Sequence, residues 1–206
     1  MYRKLFISNQ ENWINMYTLK IEDPDKLFLT SDSHLGHFHI CKYCHRPFTS
    51  RSEMDQTLIK NWNEVVPEDG IVVHCGDFML PHDNNIKEYM HYLNKLNGRV
   101  LLLRGNHDRI DLMTENEKLI SVQDMAMILV DNVKIFAQHY PCAAFNGDYH
   151  VYGHIHTLSD GICYGADAEA LGAMKKTTYD VGVDQNHYTP VSYWQLCDII
   201  RKQMYK

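Results

Sequence analysis

At 206 residues, 45% hydrophobic and 22% charged, the chain has the length and composition of one globular domain with a well-buried core. A formal net charge of −6 argues against a strong electrostatic grip on long nucleic acid. No apolar stretch approaches the ~20 residues of a membrane-spanning helix, and the basic pair near Met1 is followed by no apolar core of an export signal.

In chain order, Leu27–Thr30 reads as the first strand and ends just before Asp32. A helix follows from about Ser52 to Glu64: Ser50 and Glu53 form a capping-box pattern, and Met54, Leu58, Trp62 and Val65 recur at helical spacing. Ile71–Val73 is a short buried strand running into Gly76-Asp77. A second helix, about Asn84 to Asn97, places Ile86, Met90, Leu93 and Leu96 on one face and stops at Gly98. Val100–Leu103 is a strand that delivers Gly105-Asn106-His107-Asp108. Met125–Val130 and Val133–Ala137 flank a hairpin turn at Asp131-Asn132, and the second of them ends next to His139. Val151-Tyr152 leads to Gly153-His154-Ile155-His156. Ser159 to Lys176 reads as a surface loop or short helix, Thr178 to Val183 as a late strand and Val191 to Lys202 as a terminal helix. No repeat or linker interrupts this order, so residues 1–206 read as a single domain.

Thirteen histidines are the compositional outlier, and several of them fall in the polar segments at strand ends. Those segments offer Asp, Asn and His at their chemical positions. Such a set suits two divalent metal ions about 3.5–4 Å apart, which need an anion between them. Asp77 is the natural bridge. Asp32, His34 and His156 complete one shell; Asn106, His139 and His154 complete the other, with Asn106 limiting the total negative charge. Gly76, Gly105 and Gly153 allow close backbone approach beside crowded ligands. Imidazole and carboxylate suit Mn, Fe, Zn, Ni or Co, with Mn favoured here. Water between two such ions loses a proton near neutral pH and becomes the nucleophile, and His107, left over from ligation, protonates the leaving oxygen.

These ordered segments resemble the signature of the calcineurin-like metallophosphoesterase superfamily over about Phe28 to Asp184. The resemblance implies Asp32, His34, Asp77 and His156 for the first metal, Asp77, Asn106, His139 and His154 for the second, and His107 as proton donor. It implies an α/β fold: a four-layer sandwich of two mixed β-sheets flanked by helices. A narrower set is similar to small bacterial and phage phosphoesterases: Ser31–His37, Arg46-Pro47-Phe48, Asn61-Trp62-Asn63, Gly76-Asp77-Phe78, Leu96-Asn97-Gly98, Arg104–Asp108 and Asp180–Asp184. Leu80 stands where protein phosphatases carry an acid and purple acid phosphatases a metal-binding tyrosine, which argues against both branches.

Arg104, Arg46 and His37 are candidate phosphate contacts, since a guanidinium holds two phosphate oxygens at once. Arg104 and Asp108 also flank the proton donor as catalytic candidates. Each arginine has an alternative reading as a structural salt bridge. Cys41-x-x-Cys44-His45 formally matches a haem attachment site, and a structural zinc site is a further reading; a polar loop with two half-buried thiols is favoured over both. Cys75 is expected in the core and Cys142 on the pocket wall. The six scattered cysteines fit a reducing cytoplasm. The expected function is hydrolysis of a small phosphorylated substrate. A chain without an obvious cap domain suggests an open cleft, which favours phosphodiesters or short nucleotides. The alternatives are a phosphomonoesterase on a small metabolite and a non-catalytic protein-binding scaffold.

Overall fold

A strand that is apolar at every position must be covered on both faces. That requirement is met by the apolar runs Leu27–Leu29, Ile71–Val73 and Val100–Leu103, whose strands lie side by side in the interior of a sheet. The computed structural model describes residues 16–80, 86–109, 116–158 and 174–205. Its strands are β1 (Tyr17–Ile21), β2 (Leu27–Thr30), β3 (Ile71–His74), β4 (Arg99–Leu103), β5 (Leu119–Gln123), β6 (Met125–Val130), β7 (Val133–Gln138), β8 (Tyr149–Tyr152), β9 (Thr178–Asp180) and β10 (Val191–Ser192). The helices are α1 (Ile40–Tyr43), α2 (Arg51–Val65), α3 (Ile86–Leu93) and α4 (Tyr193–Met204).

The strands form two five-stranded sheets, β1-β6-β7-β8-β9 and β10-β2-β3-β4-β5. Both are mixed. In the first, only β6–β7 is antiparallel; in the second, only β10–β2 is. The fold is thus an α/β sandwich of two mixed sheets. Alternate residues of β2, β3 and β4 point to different sides. Leu27, Leu29, Val73, Leu101 and Leu103 meet Ala126, Ile128, Ile135, Ala137 and Val151 between the sheets. Phe28, Val72, Val100 and Leu102 meet Met54, Leu58 and Trp62 of α2 and Tyr89, Tyr92 and Leu93 of α3 on the outer face. Helix α4 closes the edge where β9 and β10 end their sheets, and inserts Tyr193, Leu196 and Ile200 between the two layers. Among the described residues, no helix is long and apolar enough to cross a membrane.

Several boundaries differ from the sequence reading. Strand β1 precedes the strand taken there as first, and β5 and the single-turn α1 were not expected. Helix α3 ends at Leu93 rather than Asn97. Gly98, at φ +77°, instead turns the chain into β4, and the buried face is Tyr89, Tyr92, Leu93 and Leu96. Strand β9 stops at Asp180, and Val191-Ser192 is a strand before α4 begins. The α2 cap is half of the expected box: Ser50 Oγ accepts from Glu53 N at 3.2 Å, but the Glu53 carboxylate reaches back to Thr49 N at 2.8 Å. The complete capping box is at α4, between Ser192 and Gln195. The hairpin turn falls at Asp131, φ +50°. Residues 84–85 of the expected second helix and 159–173 of the expected loop lie outside the described residues.

Leu101 lies fully buried between the sheets, whereas Val65 at the end of α2 is exposed. Leu101→Ala should lose about 2–5 kcal/mol of stability by leaving a cavity, and Val65→Ala no more than about 0.5 kcal/mol. Urea denaturation of the two variants measures this contrast.

Candidate metal centre

The expected ligands all sit just beyond the C-terminal ends of strands: Asp32 and His34 after β2, Asp77 after β3, Asn106 after β4, His139 after β7, His154 and His156 after β8. Loops there converge on a rigid frame, which is where open α/β sheets bind ligands. The β2–β3 ladder continues past the strands. Cys75 N donates to Thr30 O at 2.7 Å, Asp32 N to Gly76 O at 2.9 Å and His34 N to Asp77 O at 3.0 Å, which locks the two acidic loops side by side. Asp108 ties in the third loop: its carboxylate accepts from Gly105 N and Asp77 N, both at 2.8 Å, and from Phe78 N at 3.0 Å.

Contact dictates glycine at two of these turns. A Cβ on Gly105 would collide with Asp77, and one on Gly153 with Ser31 Oγ and the Asp32 carboxylate. The candidate ligands themselves carry backbone strain. Asp32, His34, Asp77, His154 and His156 have φ of 56°, 49°, 54°, 72° and 47°, in the left-handed region that L-residues avoid. Strain of this kind collects where side-chain direction matters more than local comfort.

Asp77 Oδ2 lies 3.5 Å from His34 Nε2 and 3.6 Å from His139 Nε2. His139 Nε2 is also 3.0 Å from Asn106 Oδ1, and its Nδ1 is 2.8 Å from the Cys75 carbonyl, which fixes the ring. His156 Nε2 is 3.8 Å from Asp32 Oδ1. Two tight donor groups form among the expected ligands: Asp32, His34 and His156, and Asp32, Asp77 and His139, each with its donor atoms within 4.8 Å of one another. Donors bound to one first-row ion lie roughly 3.0–3.5 Å apart, so the pair distances of 3.5, 3.6 and 3.8 Å are near coordination spacing. His154 flanks the groups. Its ring centroid is 5.0 Å from that of His139, and its backbone N donates to Asp32 Oδ2 at 3.0 Å.

One atom tests the fit for a cation. His34 is 1% exposed and its Nε2 has no hydrogen-bond partner, while its Nδ1 pairs with His37 Nδ1 at 3.3 Å. A buried imidazole nitrogen left unanswered is costly, and a divalent ion is a partner that it, Asp77 and the neighbouring imidazoles would jointly hold. The electrostatics agree. Burial pushes the Asp32 carboxyl up to about 6, against the pull of His156 and His139. Burial, helped by the Arg46 charge, holds His34 well below the ordinary imidazole range. For His156 burial opposes a charge, yet hydrogen bonds to Asp184 and Cys44 and the Asp32 carboxylate lift it to about 11. Positive charge on the His156 ring is therefore favoured by its surroundings.

His107 donates its backbone N–H to Asp77 Oδ1 at 2.9 Å, and its ring lies 5.3 Å from that of His34 and 6.0 Å from that of His37. It stands beside the donor groups without joining them. Three other expectations are corrected. Arg46 is buried and fully engaged: it donates to Asp184 at 2.7 and 3.0 Å, to Asp32 O at 2.7 Å and to Ser33 O at 3.0 Å, so it has no face left for phosphate. Arg104 pairs with Asp124 at 3.4 Å and is half exposed, on the β5 side. Asp108 points at backbone amides rather than at the His107 ring, and holds loops instead of moving protons. Cys41 and Cys44 are buried, not half-buried, on and beside the short helix α1; Cys41 Sγ contacts Met54 Sδ, while Cys44 forms a third donor group with His156 and Asp184, its donor atoms within 4.8 Å of one another, so its neighbours belong to the candidate centre rather than to a second cysteine pair. Cys75 is in the core as expected. Cys142 directs its thiol to the Ala144 carbonyl.

The sequence reading assigned no role to Asp184. Its carboxylate accepts from Arg46 and, at 2.8 Å, from His156 Nδ1, which turns His156 Nε2 toward Asp32. Burial would raise this carboxyl, but Arg46 and His156 hold it below the usual range. The signal was an acid shortly after the Thr178–Val183 strand-like run, as Asp32 and Asp77 come shortly after theirs.

No family model matches the chain. Among solved structures it is similar to AQ665 from Aquifex aeolicus, a protein of unknown function, with a TM-score of 0.64 and 21% identity over 84% of this chain and 98% of that one. That likeness concerns the fold. Vacuolar protein sorting 29 from Cryptosporidium parvum aligns over 64% of this chain and 65% of its own, with a TM-score of 0.37 and 14% identity. At the level of sequence, 180 residues are 32% identical to the uncharacterized protein MJ1445 of Methanocaldococcus jannaschii, spanning 86% of this chain and 92% of that protein. The chain belongs to the same family as MJ1445.

Proposed function

We propose that this chain is a dinuclear metal-dependent phosphoester hydrolase of the calcineurin-like metallophosphoesterase superfamily. The observation that carries the reading is the position of Asp77 Oδ2 between two imidazole nitrogens from different sheets, at 3.5 and 3.6 Å. Asp32, His34, Asp77 and His156 would hold one divalent ion, and Asp77, Asn106, His139 and His154 the other. When bound, the two ions, of Mn, Fe, Zn, Ni or Co type, supply charge that neutralises phosphate oxygens and acidifies water.

The chain's own groups do the rest. Asp184 orients His156, and His37 orients His34. The Asp77 carboxylate holds the His107 backbone, and with it a ring at the edge of the donor groups from which a proton can reach the leaving oxygen. Asn106 is exposed and His154 half-buried, so the second ion's side is the open one and suits phosphodiesters or short nucleotides. The reading extends to a reducing cytoplasm, supported by free thiols at Cys41, Cys44, Cys75, Cys142 and Cys197.

Two measurements test the assignment. With Mn and bis(p-nitrophenyl) phosphate, Asp77→Ala should lose bound metal and activity together. His107→Ala should keep the metal and lose roughly 10²–10⁴-fold in rate, most with poor leaving groups. Full activity in Asp77→Ala rejects the proposal. Metal binding should also weaken in acid: the Asp32 carboxyl, raised to about 6, takes up a proton as pH falls through that value. Calorimetric titration at pH 7.5 and pH 5 should show clearly tighter Mn binding at the higher pH, with proton release.

A further inference from the structure

On the phosphoesterase reading, we infer that Tyr140 is a platform for a flat ring carried by the substrate, so that the esters taken are nucleotides or others with a planar organic group near phosphorus. Tyr140 follows His139 directly and is 48% exposed. Its ring centroid lies 4.6 Å from that of His154 and 4.9 Å from that of His139, at steep interplanar angles of 65° and 74°. The ring therefore stands against two ligands of the proposed second ion, on the open side of the site, with about half its surface in water. Phe78 and Tyr89, by contrast, are buried and pack the core.

The ring is also presented rigidly. Pro141 follows it and confines the Tyr140 backbone to extended conformations. The Tyr140 carbonyl accepts from Gln138 Nε2 at 2.8 Å. The two imidazoles buttress the side chain. Little freedom remains to be lost when a second ring lies on it, and preorganised exposed aromatics are how proteins bind bases without reading their edges. Stacking of one base on one such ring corresponds to roughly five- to hundredfold in affinity.

The test compares two phosphates that differ only by the base. Calorimetric titration of the Mn-loaded full chain with adenosine 5′-monophosphate and with ribose 5-phosphate should give about tenfold tighter binding of the nucleotide. Tyr140→Leu should abolish the difference, and Tyr140→Phe should keep it, with Mn content and melting temperature unchanged in both. Equal affinities in the unaltered protein, or a nucleotide preference that survives Tyr140→Leu, overturn the inference. So does loss of Mn in Tyr140→Leu, which would make the ring a structural buttress. The same preparation is assayed on bis(p-nitrophenyl) phosphate: turnover with equal affinities removes the platform alone, whereas the absence of turnover removes the hydrolase reading on which it rests.

Discussion

Buried carboxylates in excess of buried cations are the constraint around which this protein is built. Among the described residues Asp32, Asp55, Asp77, Asp108, Asp180 and Asp184 are all buried, and Arg46 is the single arginine or lysine buried with them. An isolated charge in the interior costs more than a fold's net stability, so each carboxylate needs an answer. Asp108 has three backbone amides. Asp180 has the amides of Gly182 and Thr157, and Asp55 has Gly36 N and the Tyr92 hydroxyl. Asp184 has Arg46 and His156. Asp32 and Asp77 have only the backbone nitrogens of His154 and His107, and their other approaches are faced by imidazoles. On the proposed reading, the pair of divalent cations is the charge that this pattern lacks.

The surrounding network is arranged to keep those two carboxylates and their imidazoles in place. Arg46 grips the backbone carbonyls of Asp32 and Ser33 with one end of its guanidinium while it pairs with Asp184, the acid that turns His156. Removing one member of such a buried pair costs about 3–5 kcal/mol, because the other charge is left without a partner. Ser33 Oγ meets His74 Nε2 at 2.9 Å, and Asp55 holds Gly36 two residues past His34. These side-chain contacts add to the backbone bonds that tie the 31–37 loop to residues 76–78. Left-handed backbone at Asp32 and His34, of order 1–3 kcal/mol each, persists only where tertiary contacts over-determine it in this way.

The distance between legible and illegible features follows the same physics. β2, β3 and β4 could be read because their apolar runs have no other way to be buried. β1 and β5 are edge strands with half-exposed faces; Tyr17-Thr18-Leu19-Lys20-Ile21 does alternate apolar and polar residues at strand period, but over five residues only, a short signal that the sequence reading passed over. The donor set could be read because Asp, Asn and His recur after strand-like runs, and those runs do end at one rim. The two arginines could not. Whether a guanidinium meets phosphate or protein depends on what lies opposite: Asp184 is 138 residues away from Arg46, and Asp124 arrives beside Arg104 only through β5. Asp108 was misread for a related reason. Adjacency to His107 in the chain suggests a partner, but the tight turn at Gly105 points its carboxylate back at the amides of its own and the neighbouring loop.

The placement of donors also gives the apolar core a chemical consequence. Each sheet has its own hydrogen-bonded ladder, and at the rim the two are joined by the Ser31–Gly182 bridge and by the His154 amide on Asp32. The donor groups straddle that junction. Asp32, His34 and Asp77 come from the β10-β2-β3-β4-β5 sheet, and His139 and His156 from the other. An ion held by either group would cross-link the layers, so its binding energy would add to the stability of the sandwich. Donor spacing is in turn set by how the sheets sit on one another, through Leu29, Val73 and Leu103 against Ala137 and Val151, with Leu196 and Ile200 of α4 wedged at the edge. Close-packed interiors resist sliding because each side chain is seated among others. The residues that hold the imidazoles at 3.5–3.8 Å from the carboxylates therefore include aliphatic ones that touch no ligand.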